Sequence, residues 1–228
     1  MANFRRPIVC LVTDRRRLCE QCDDEAALRC LSTQVSAAVE AGVDLLQIRE
    51  RDLDARRLAA AVSDAVALTR GSVTRIVVND RLDVALAAGA DGVHLRGDSL
   101  LAESARRLAP DGFLIGRSVH SATEAVASAD AADYLIAGTV FPTSSKHAVP
   151  TLLGEDGLSA VVAAAGKVPV VAIGGITLDA LDRVAAAGAA GFAGIGAFLG
   201  ETRPCRSANL RDFVKKARAR FDSLKTAP

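Results

Sequence analysis

Four consecutive polar residues, Thr143 to Lys146, follow an apolar run in the stretch VFPTSSKHAVP. Three hydroxyl groups can donate hydrogen bonds to an anion, and the neighbouring ammonium group adds a positive charge. The same composition is also typical of an ordinary solvated loop. An anion site at this loop therefore needs support from other parts of the chain.

Two arginines and an aspartate offer that support. Arg49 and Arg51 alternate after the run VDLLQI, and Asp80 follows the run RIVVN. With Lys146 the arginines supply three cations, and the carboxylate can hold Mg2+, which prefers oxygen ligands and often bridges to a diphosphate. These residues predict a cationic, metal-assisted site for a phosphorylated ligand.

Two glycine-rich turns indicate a second anion pocket. Gly174-Gly175 and Gly194-Ile195-Gly196 each follow an apolar run in the C-terminal part of the chain. Backbone N–H groups exposed in such turns bind phosphate after the last two strands of many (β/α)8 barrels. Two pockets of this kind fit two phosphorylated ligands, one of which carries a diphosphate leaving group.

The candidate residues follow regularly spaced apolar runs. Eight runs are nearly free of polar residues, as expected for parallel strands that are buried on both faces. They cover residues 7–13, 43–48, 75–79, 92–95, 114–118, 134–138, 170–175 and 191–196. The segments between them are rich in Ala, Leu, Arg and Glu, which favour helices. The predicted helices cover residues 26–41, 54–70, 99–109, 123–129, 158–165 and 178–187, with a charged closing helix at 209–224.

This repeat of strand and helix predicts a single (β/α)8 barrel domain over residues 1–228. The alternative is a doubly wound open sheet, but no GxGxxG follows the first run, which disfavours its dinucleotide-binding version. In a barrel, functional residues lie at the carboxyl ends of the strands. The polar residues at those positions include Gln47, Arg49, Arg51, Asn79, Asp80, Asp98, Ser118 and His120.

Each of these residues, taken alone, has a simpler explanation. Gln47 and Arg49 fit a structural ion-pair element, and Asn79-Asp80 fits the N-cap of a helix. His120 fits a cap or an ordinary surface residue. The prediction of a site depends on their combination at one end of a barrel.

The overall composition limits the classes of function. The chain has 28 basic and 27 acidic residues and a net charge of +1, which argues against general nucleic-acid binding. No apolar run reaches the roughly 20 residues that cross a bilayer, and no signal peptide is evident. Cys19-x-x-Cys22 lacks a second CxxC or a nearby His pair, so reduced cysteines without a metal are expected. A cytoplasmic protein without nucleic-acid or membrane partners is expected, and a homo-oligomer stays open.

Five ordered segments resemble a known family. They are LLQIRERDLD, VVNDRLDVALAAGADGVHL, IGRSVHSATEA, ADYLIAGTVFPTSSK and VPVVAIGGIT. These segments are similar to those of thiamine-phosphate synthases and of their relatives, the TenI-like thiazole tautomerases. The resemblance implies a Mg2+-dependent transferase that joins hydroxymethylpyrimidine diphosphate to a thiazole phosphate and releases pyrophosphate.

The resemblance also implies a role for each matching residue. The implied catalytic residues are Arg49, Ser118, His120 and Lys146. The implied substrate contacts are Gln47, Arg51, Asn79, Thr143, Ser145, Gly175, Ile195 and Gly196. The implied metal ligands are Asp80 and Asp98.

Two positions depart from the synthase pattern. Arg51 stands where Q-x-R-x-K has a lysine, and Ser99 stands where H-x-G-Q-x-D has a second aspartate. The departures favour the tautomerase, which isomerises a thiazole carboxylate phosphate without a metal. His120 matches the candidate acid–base residue of that enzyme, but histidine is also common at this position in synthases. A third hypothesis is a barrel that binds a thiazole phosphate without turnover.

Other residues favour the synthase. The substrate of a tautomerase has no diphosphate, so such an enzyme would have no use for Asn79, Asp80 and the Thr-x-Ser-Lys loop as diphosphate ligands. Asp98, one residue before the expected position, is the only carboxylate that could replace the missing ligand. An Asp98 carboxylate that shares an ion with Asp80 would support the synthase, whereas one that points to solvent would support the tautomerase.

Overall fold

Eight parallel strands close into a barrel and are paired in the order of the chain. The computed structural model of the protein describes residues 4–143, 151–199 and 210–223. The strands are β1 (Ile8–Val12), β2 (Leu45–Ile48), β3 (Arg75–Asn79), β4 (Gly92–Leu95), β5 (Leu114–Val119), β6 (Tyr134–Gly138), β7 (Val170–Ile173) and β8 (Gly191–Gly194). The last strand pairs with the first, with Ile8 opposite Gly191. The predicted (β/α)8 barrel is confirmed.

Helices surround the barrel. In the described residues they are α1 (Arg15–Leu18), α2 (Asp24–Ala41), α3 (Ala55–Thr69), α4 (Leu82–Ala87), α5 (Ala102–Leu108), α6 (Ala122–Ser128), α7 (Gly154–Ala165), α8 (Leu181–Ala186) and α9 (Leu210–Ser223). Short 3-10 helices cover Leu178–Ala180 and Gly196–Phe198. Among the described helices, none is long and apolar enough to span a membrane.

Alternate residues of each strand enter two different cores. Val9, Leu11, Leu46 and Ile48 face the helices in the larger cluster of buried side chains. The other residues of the same strands, such as Cys10 and Leu45, fill the barrel interior. Because both faces of each strand are buried, the strands read as continuous apolar runs. The same alternation directs Gln47, Asn79 and Ser118 to the interior at the carboxyl ends of their strands.

Two helices of the structure were not predicted from the sequence. The segments α1 and α4 have only four and six residues, too short for an apolar period to appear. Helix α4 begins at Leu82, and its N-cap residue Arg81 makes no side-chain capping hydrogen bond. The interpretation of Asn79-Asp80 as a helix cap is therefore wrong.

The expectation of reduced cysteines is corrected for one pair. A disulfide joins Cys19 and Cys22, whose Cα atoms are 5.4 Å apart. The chain turns back directly after α1 and so brings the two cysteines together. Their separation lies within the range that a disulfide can bridge. Cys30 is buried in the same small cluster, which includes Leu18.

Candidate active site

The end of β2 places a buried amide in the barrel mouth. Gln47 is almost fully buried, and its Nε2 atom has no hydrogen-bond partner among the described residues. A buried amide donor without a partner costs free energy, and a substrate carbonyl or ring nitrogen would satisfy it. The substrate contact expected at Gln47 stays a prediction.

Arg49 follows at the rim as a partly buried cation. Burial, and then the positive charge of Arg51, lower the pKa of Arg49 below its usual value, with a smaller effect of Arg96. The negative charges of Asp14 and Glu50 oppose this shift in part, but among the described residues no carboxylate forms an ion pair with the Arg49 guanidinium group. A bound anion would stabilise the desolvated cation further.

Across the mouth, Asp80 follows β3 in an unusual backbone conformation. Its φ angle of 64° lies in the left-handed region, which few residues other than glycine adopt. Its Oδ1 atom is buried without a hydrogen-bond partner in the described part of the chain. An open carboxylate oxygen held in a strained backbone is a typical feature of a functional site.

One arginine lies between the two predicted metal ligands. Arg96 Nη1 lies 3.7 Å from Asp80 Oδ2, and Arg96 Nη2 lies 2.5 Å from Asp98 Oδ2. The Asp98 side chain is 70% exposed. The structure therefore does not place Asp98 as a joint ligand with Asp80, and by this criterion alone the tautomerase would be favoured. Within the described ranges, no group of three or more His, Cys, Asp or Glu side chains could hold a metal.

Below the rim, Ser118 forms a hydrogen bond with a neutral histidine. The Oγ atom of Ser118 lies 2.9 Å from His94 Nε2, and Tyr134 Oη lies 3.3 Å from His94 Nδ1. Burial lowers the pKa of His94 to about 3. A side chain at Gly116 would overlap the Tyr134 ring, so glycine is required for this contact. The uncharged histidine thus holds the Ser118 hydroxyl group in place through this hydrogen bond.

The glycine turn after β7 packs against the chain that follows β6. Gly174 and Gly175 have φ angles of 100° and 64°. A side chain at Gly175 would come within 2.4 Å of Pro142 O, and the Phe141 N–H group donates to Gly174 O at 3.0 Å. The turn thus sits beside Thr143, where the predicted hydroxyl loop begins. Ser145 and Lys146 lie outside the described residues, and their roles stay predictions.

The turn after β8 lies beside an additional cation. Gly196 is exposed and Ile195 is partly buried against the barrel interior. The Nη2 atom of Arg17, on α1, lies 3.8 Å from the position that a Gly196 side chain would take. A phosphate bound at Gly196 would therefore have a guanidinium group close by. Because Arg17 lies in a run of three arginines, its position did not stand out in the sequence.

His120 is placed away from the interior. Its side chain is 52% exposed, and its Nδ1 atom lies 3.2 Å from Glu124 Oε2. The carboxylate of Glu124 also accepts the backbone N–H group of His120 at 2.8 Å. These contacts agree with the simpler interpretation as a surface residue at the start of α6, and a catalytic role for His120 stays a prediction.

The structure thus defines a (β/α)8 barrel whose mouth contains Arg49, Asp80 and Arg96, with glycine turns after the last two strands. Residues 10–198 match the family model described as thiamine monophosphate synthase, and the chain belongs to this family. The thiamine-phosphate synthase of Methanoregula boonei is 42% identical over 192 residues, which cover 83% of this chain and 88% of that protein. That of Methanoculleus marisnigri is 44% identical over 186 residues, with 80% and 87% covered.

A solved structure supports the same relationship. The thiamine phosphate pyrophosphorylase from Pyrococcus furiosus superposes with a TM-score of 0.74 at 34% identity. The alignment covers 92% of this chain and 96% of that chain. The predicted family resemblance is therefore confirmed.

Proposed function

We propose that this chain is a thiamine-phosphate synthase, which joins hydroxymethylpyrimidine diphosphate to a thiazole phosphate and releases pyrophosphate. The observation that carries the proposal is the half-buried guanidinium group of Arg49, whose pKa is lowered by burial and by Arg51 although Asp14 and Glu50 lie near enough to oppose the shift in part. A diphosphate leaving group would supply further negative charge, whereas the isomerisation of a thiazole carboxylate involves no diphosphate. The names of the relatives agree, and the prediction of a synthase rather than a tautomerase is confirmed by them.

The reaction requires little covalent work from the protein. The bond between the pyrimidine methylene carbon and the diphosphate oxygen breaks, and the thiazole nitrogen donates its electron pair to the same carbon. Arg49 stabilises the charge that develops on the leaving diphosphate, and Gln47 and Ser118 orient the pyrimidine. The glycine turns at Gly175 and Gly196, with the cation Arg17 beside Gly196, hold the phosphate of the thiazole.

The residues present fit a Mg2+ ion that is shared with the substrate. Mg2+ usually takes one or two carboxylates of a protein and completes its ligands with water and substrate phosphates. The Oδ1 atom of Asp80, which is buried without a hydrogen-bond partner among the described residues, suits one such ligand, so we assign Asp80 as the primary ligand. When bound, the ion would neutralise charge on the departing pyrophosphate. Asp98 would join it only if it released Arg96.

The function is tested by product formation. Purified protein incubated with both substrates and MgCl2 should form thiamine phosphate and one equivalent of pyrophosphate. Omitting the thiazole phosphate controls for simple hydrolysis of the diphosphate. Isomerisation of a thiazole carboxylate phosphate without release of pyrophosphate would contradict the proposal, and thiazole phosphate binding without turnover would support a non-catalytic barrel.

Arg96 should weaken metal binding, since its charge lies beside the carboxylate that holds the ion. Arg96→Gln is expected to tighten the binding of Mn2+, used as a spectroscopic substitute for Mg2+, about three- to tenfold, as expected for one cation at this distance. Electron paramagnetic resonance titration of the metal measures the affinity directly. Arg81→Gln is the matched control, because Arg81 adjoins Asp80 in sequence but pairs with Asp83 at 2.6 Å. Equal affinities of Arg96→Gln and Arg81→Gln would contradict the assignment.

Several coarser expectations remain proposals. We propose that the barrel domain extends over residues 1–228 and that the protein acts in the cytoplasm. The substrates are small phosphorylated molecules, and neither nucleic acid nor a membrane is proposed as a partner. A homo-oligomer is tested by light scattering of the purified chain.

A further inference from the structure

A buried polar network connects the ends of β1 and β2. It consists of Thr13, Arg15, Glu50 and Asp52, and we call it the Thr13–Glu50 network. Thr13 and Arg15 are fully buried, and Glu50 is 4% exposed. The carboxylate of Glu50 accepts hydrogen bonds from Thr13 Oγ1 at 2.6 Å and from Arg15 Nη1 at 3.1 Å. Asp52 binds the same guanidinium group, with Nη2 to Oδ2 at 2.8 Å.

Stability alone is a weak explanation for such a network. Burying a carboxylate and a guanidinium group carries a desolvation cost that their attraction often fails to exceed. Replacing buried ion pairs by apolar residues of similar volume often leaves a protein equally stable or makes it more stable. The network is better explained by what its geometry fixes at the adjacent rim of the mouth.

Thr13 is the member that reaches the candidate active site. Its hydroxyl group donates to Glu50 and accepts the backbone N–H group of Arg49 at 2.9 Å. The backbone N–H group of Thr13 also donates to Gln47 O at 2.9 Å. Two bonds from one residue therefore fix the chain on both sides of Ile48, between the two predicted substrate contacts.

The other side of the network holds the second cationic loop. Arg15 begins α1, and its backbone N–H group donates to both oxygens of Glu50 at 3.2 Å. Arg17 lies two residues further along the same helix, beside Gly196. The network thus sets the position of a cation at each of the two expected anion pockets.

We propose that Thr13 is a positioning residue, which aims the Arg49 guanidinium group at the diphosphate through the backbone hydrogen bond at Arg49. The inference rests on the proposed function for the identity of the anion. It assigns to Thr13 no contact with substrate. The hydroxyl group both donates to Glu50 and accepts from Arg49 through one oxygen atom, whereas the isosteric side chain of valine can do neither.

The test compares three variants. Thr13→Val removes the hydroxyl group at nearly constant shape, and Thr13→Ser keeps it. Thr74→Val is the matched control, since Thr74 is 4% exposed and its hydroxyl group donates to Val43 O at 2.7 Å at the opposite end of the barrel. Each variant is measured for its Tm, for the Kd of inorganic pyrophosphate by calorimetry, and for kcat/KM in the synthase assay.

We expect Thr13→Val to weaken pyrophosphate binding and to lower kcat/KM about tenfold, with Thr13→Ser within about twofold of the wild type. Thr74→Val should lose a similar amount of Tm and keep the wild-type Kd. If Thr13→Val does not fold, Thr13→Ala removes the same hydroxyl group.

Thr13→Val with a wild-type Kd and kcat/KM would overturn the inference, and so would a Kd that changes equally in Thr74→Val. A wild-type protein that binds pyrophosphate but forms no thiamine phosphate would overturn the proposed function. The positioning role would then still be decided by the Kd of Thr13→Val. A wild-type protein that does not bind pyrophosphate would overturn both.

Discussion

Replacement of Arg49 by glutamine is expected to lower kcat/KM for the pyrimidine diphosphate at least about 100-fold. One charge-assisted interaction with the leaving group in a partly dry site contributes roughly 3 kcal/mol to transition-state stabilisation. Arg49→Lys should recover only part of the loss, because an ammonium group cannot form the two parallel hydrogen bonds of a guanidinium fork. Steady-state kinetics with Mg2+ at saturation measures both values.

The same substitution is expected to make the free protein more stable. Arg49 is desolvated beside Arg51 and Arg96, and the pKa of Arg49 is lowered by these effects. Solvent screens these effects at a partly exposed group, and Asp14 and Glu50 oppose them in part. Removing the charge should therefore raise Tm by no more than about 2 °C, which corresponds to less than 1 kcal/mol in a domain of this size. Higher stability with lower activity is the pattern of a functional rather than a structural cation.

A structural arginine provides the matched control. Arg106 Nη1 donates to Phe113 O at 2.7 Å, and its Nη2 pairs with Asp133 at 2.6 Å. These contacts lie where β5 and β6 begin, at the far end of the barrel. Arg106→Gln should therefore lower Tm and leave kcat/KM unchanged. Unchanged kinetics in Arg49→Gln would rule out Arg49 as the group that stabilises the leaving diphosphate.

The strands could be predicted from the sequence because burial on both faces gives continuous apolar runs; Leu45 faces the interior and Leu46 faces the helices. The residues at the carboxyl ends of the predicted strands then included most of those that line the barrel mouth, among them Gln47, Arg49 and Asp80. Helix α1 could not be predicted, because its sequence RRRL has no apolar period. Its position depends on distant carboxylates, above all Glu50 and Asp52, which neutralise the buried Arg15.

The residues of the proposed site that the sequence did not single out were missed for the same reason. Arg96 and Arg17 each follow a strand end, but the sequence does not say which of many arginines meets Asp80 or Gly196. Thr13 carried a usable signal, since it is a polar residue in the apolar run PIVCLVT. Its partners, Glu50 and the Arg49 N–H group, are 37 and 36 residues away, and only the barrel brings them together.

The protein is also expected to lose stability in acid because of His94. This side chain is fully enclosed between the Ser118 hydroxyl and Tyr134, and burial lowers its pKa to about 3 from an ordinary value of 6.5. Because the folded state has the lower pKa, the unfolded chain takes up the proton more readily. The contribution of the neutral His94 to the free energy of unfolding is fully present above pH 6.5 and is lost as the pH falls toward 3. The difference between the folded and unfolded pKa values corresponds to a loss of about 5 kcal/mol at most.

His94→Gln should therefore flatten the decline of stability in acid. Between pH 6 and pH 4, the free energy of unfolding of the wild type should fall about 2–3 kcal/mol more than that of the variant, which corresponds to one proton. Urea unfolding at pH 7, 6, 5 and 4 measures these free energies by linear extrapolation. Parallel curves for the two proteins would show that His94 does not cause the acid sensitivity.

Tyr134→Phe is the control that keeps His94 buried. It removes the hydroxyl group 3.3 Å from Nδ1 but leaves the aromatic ring, whose centroid is 5.6 Å from that of His94. Since burial is the principal cause of the lowered pKa of His94, this variant should keep the wild-type decline in acid while losing some stability at every pH. The neutral His94 also means that the Ser118 hydroxyl keeps the same partner at all pH values near neutrality. The kcat/KM values of the wild type and of His94→Gln should therefore have the same pH dependence above pH 5.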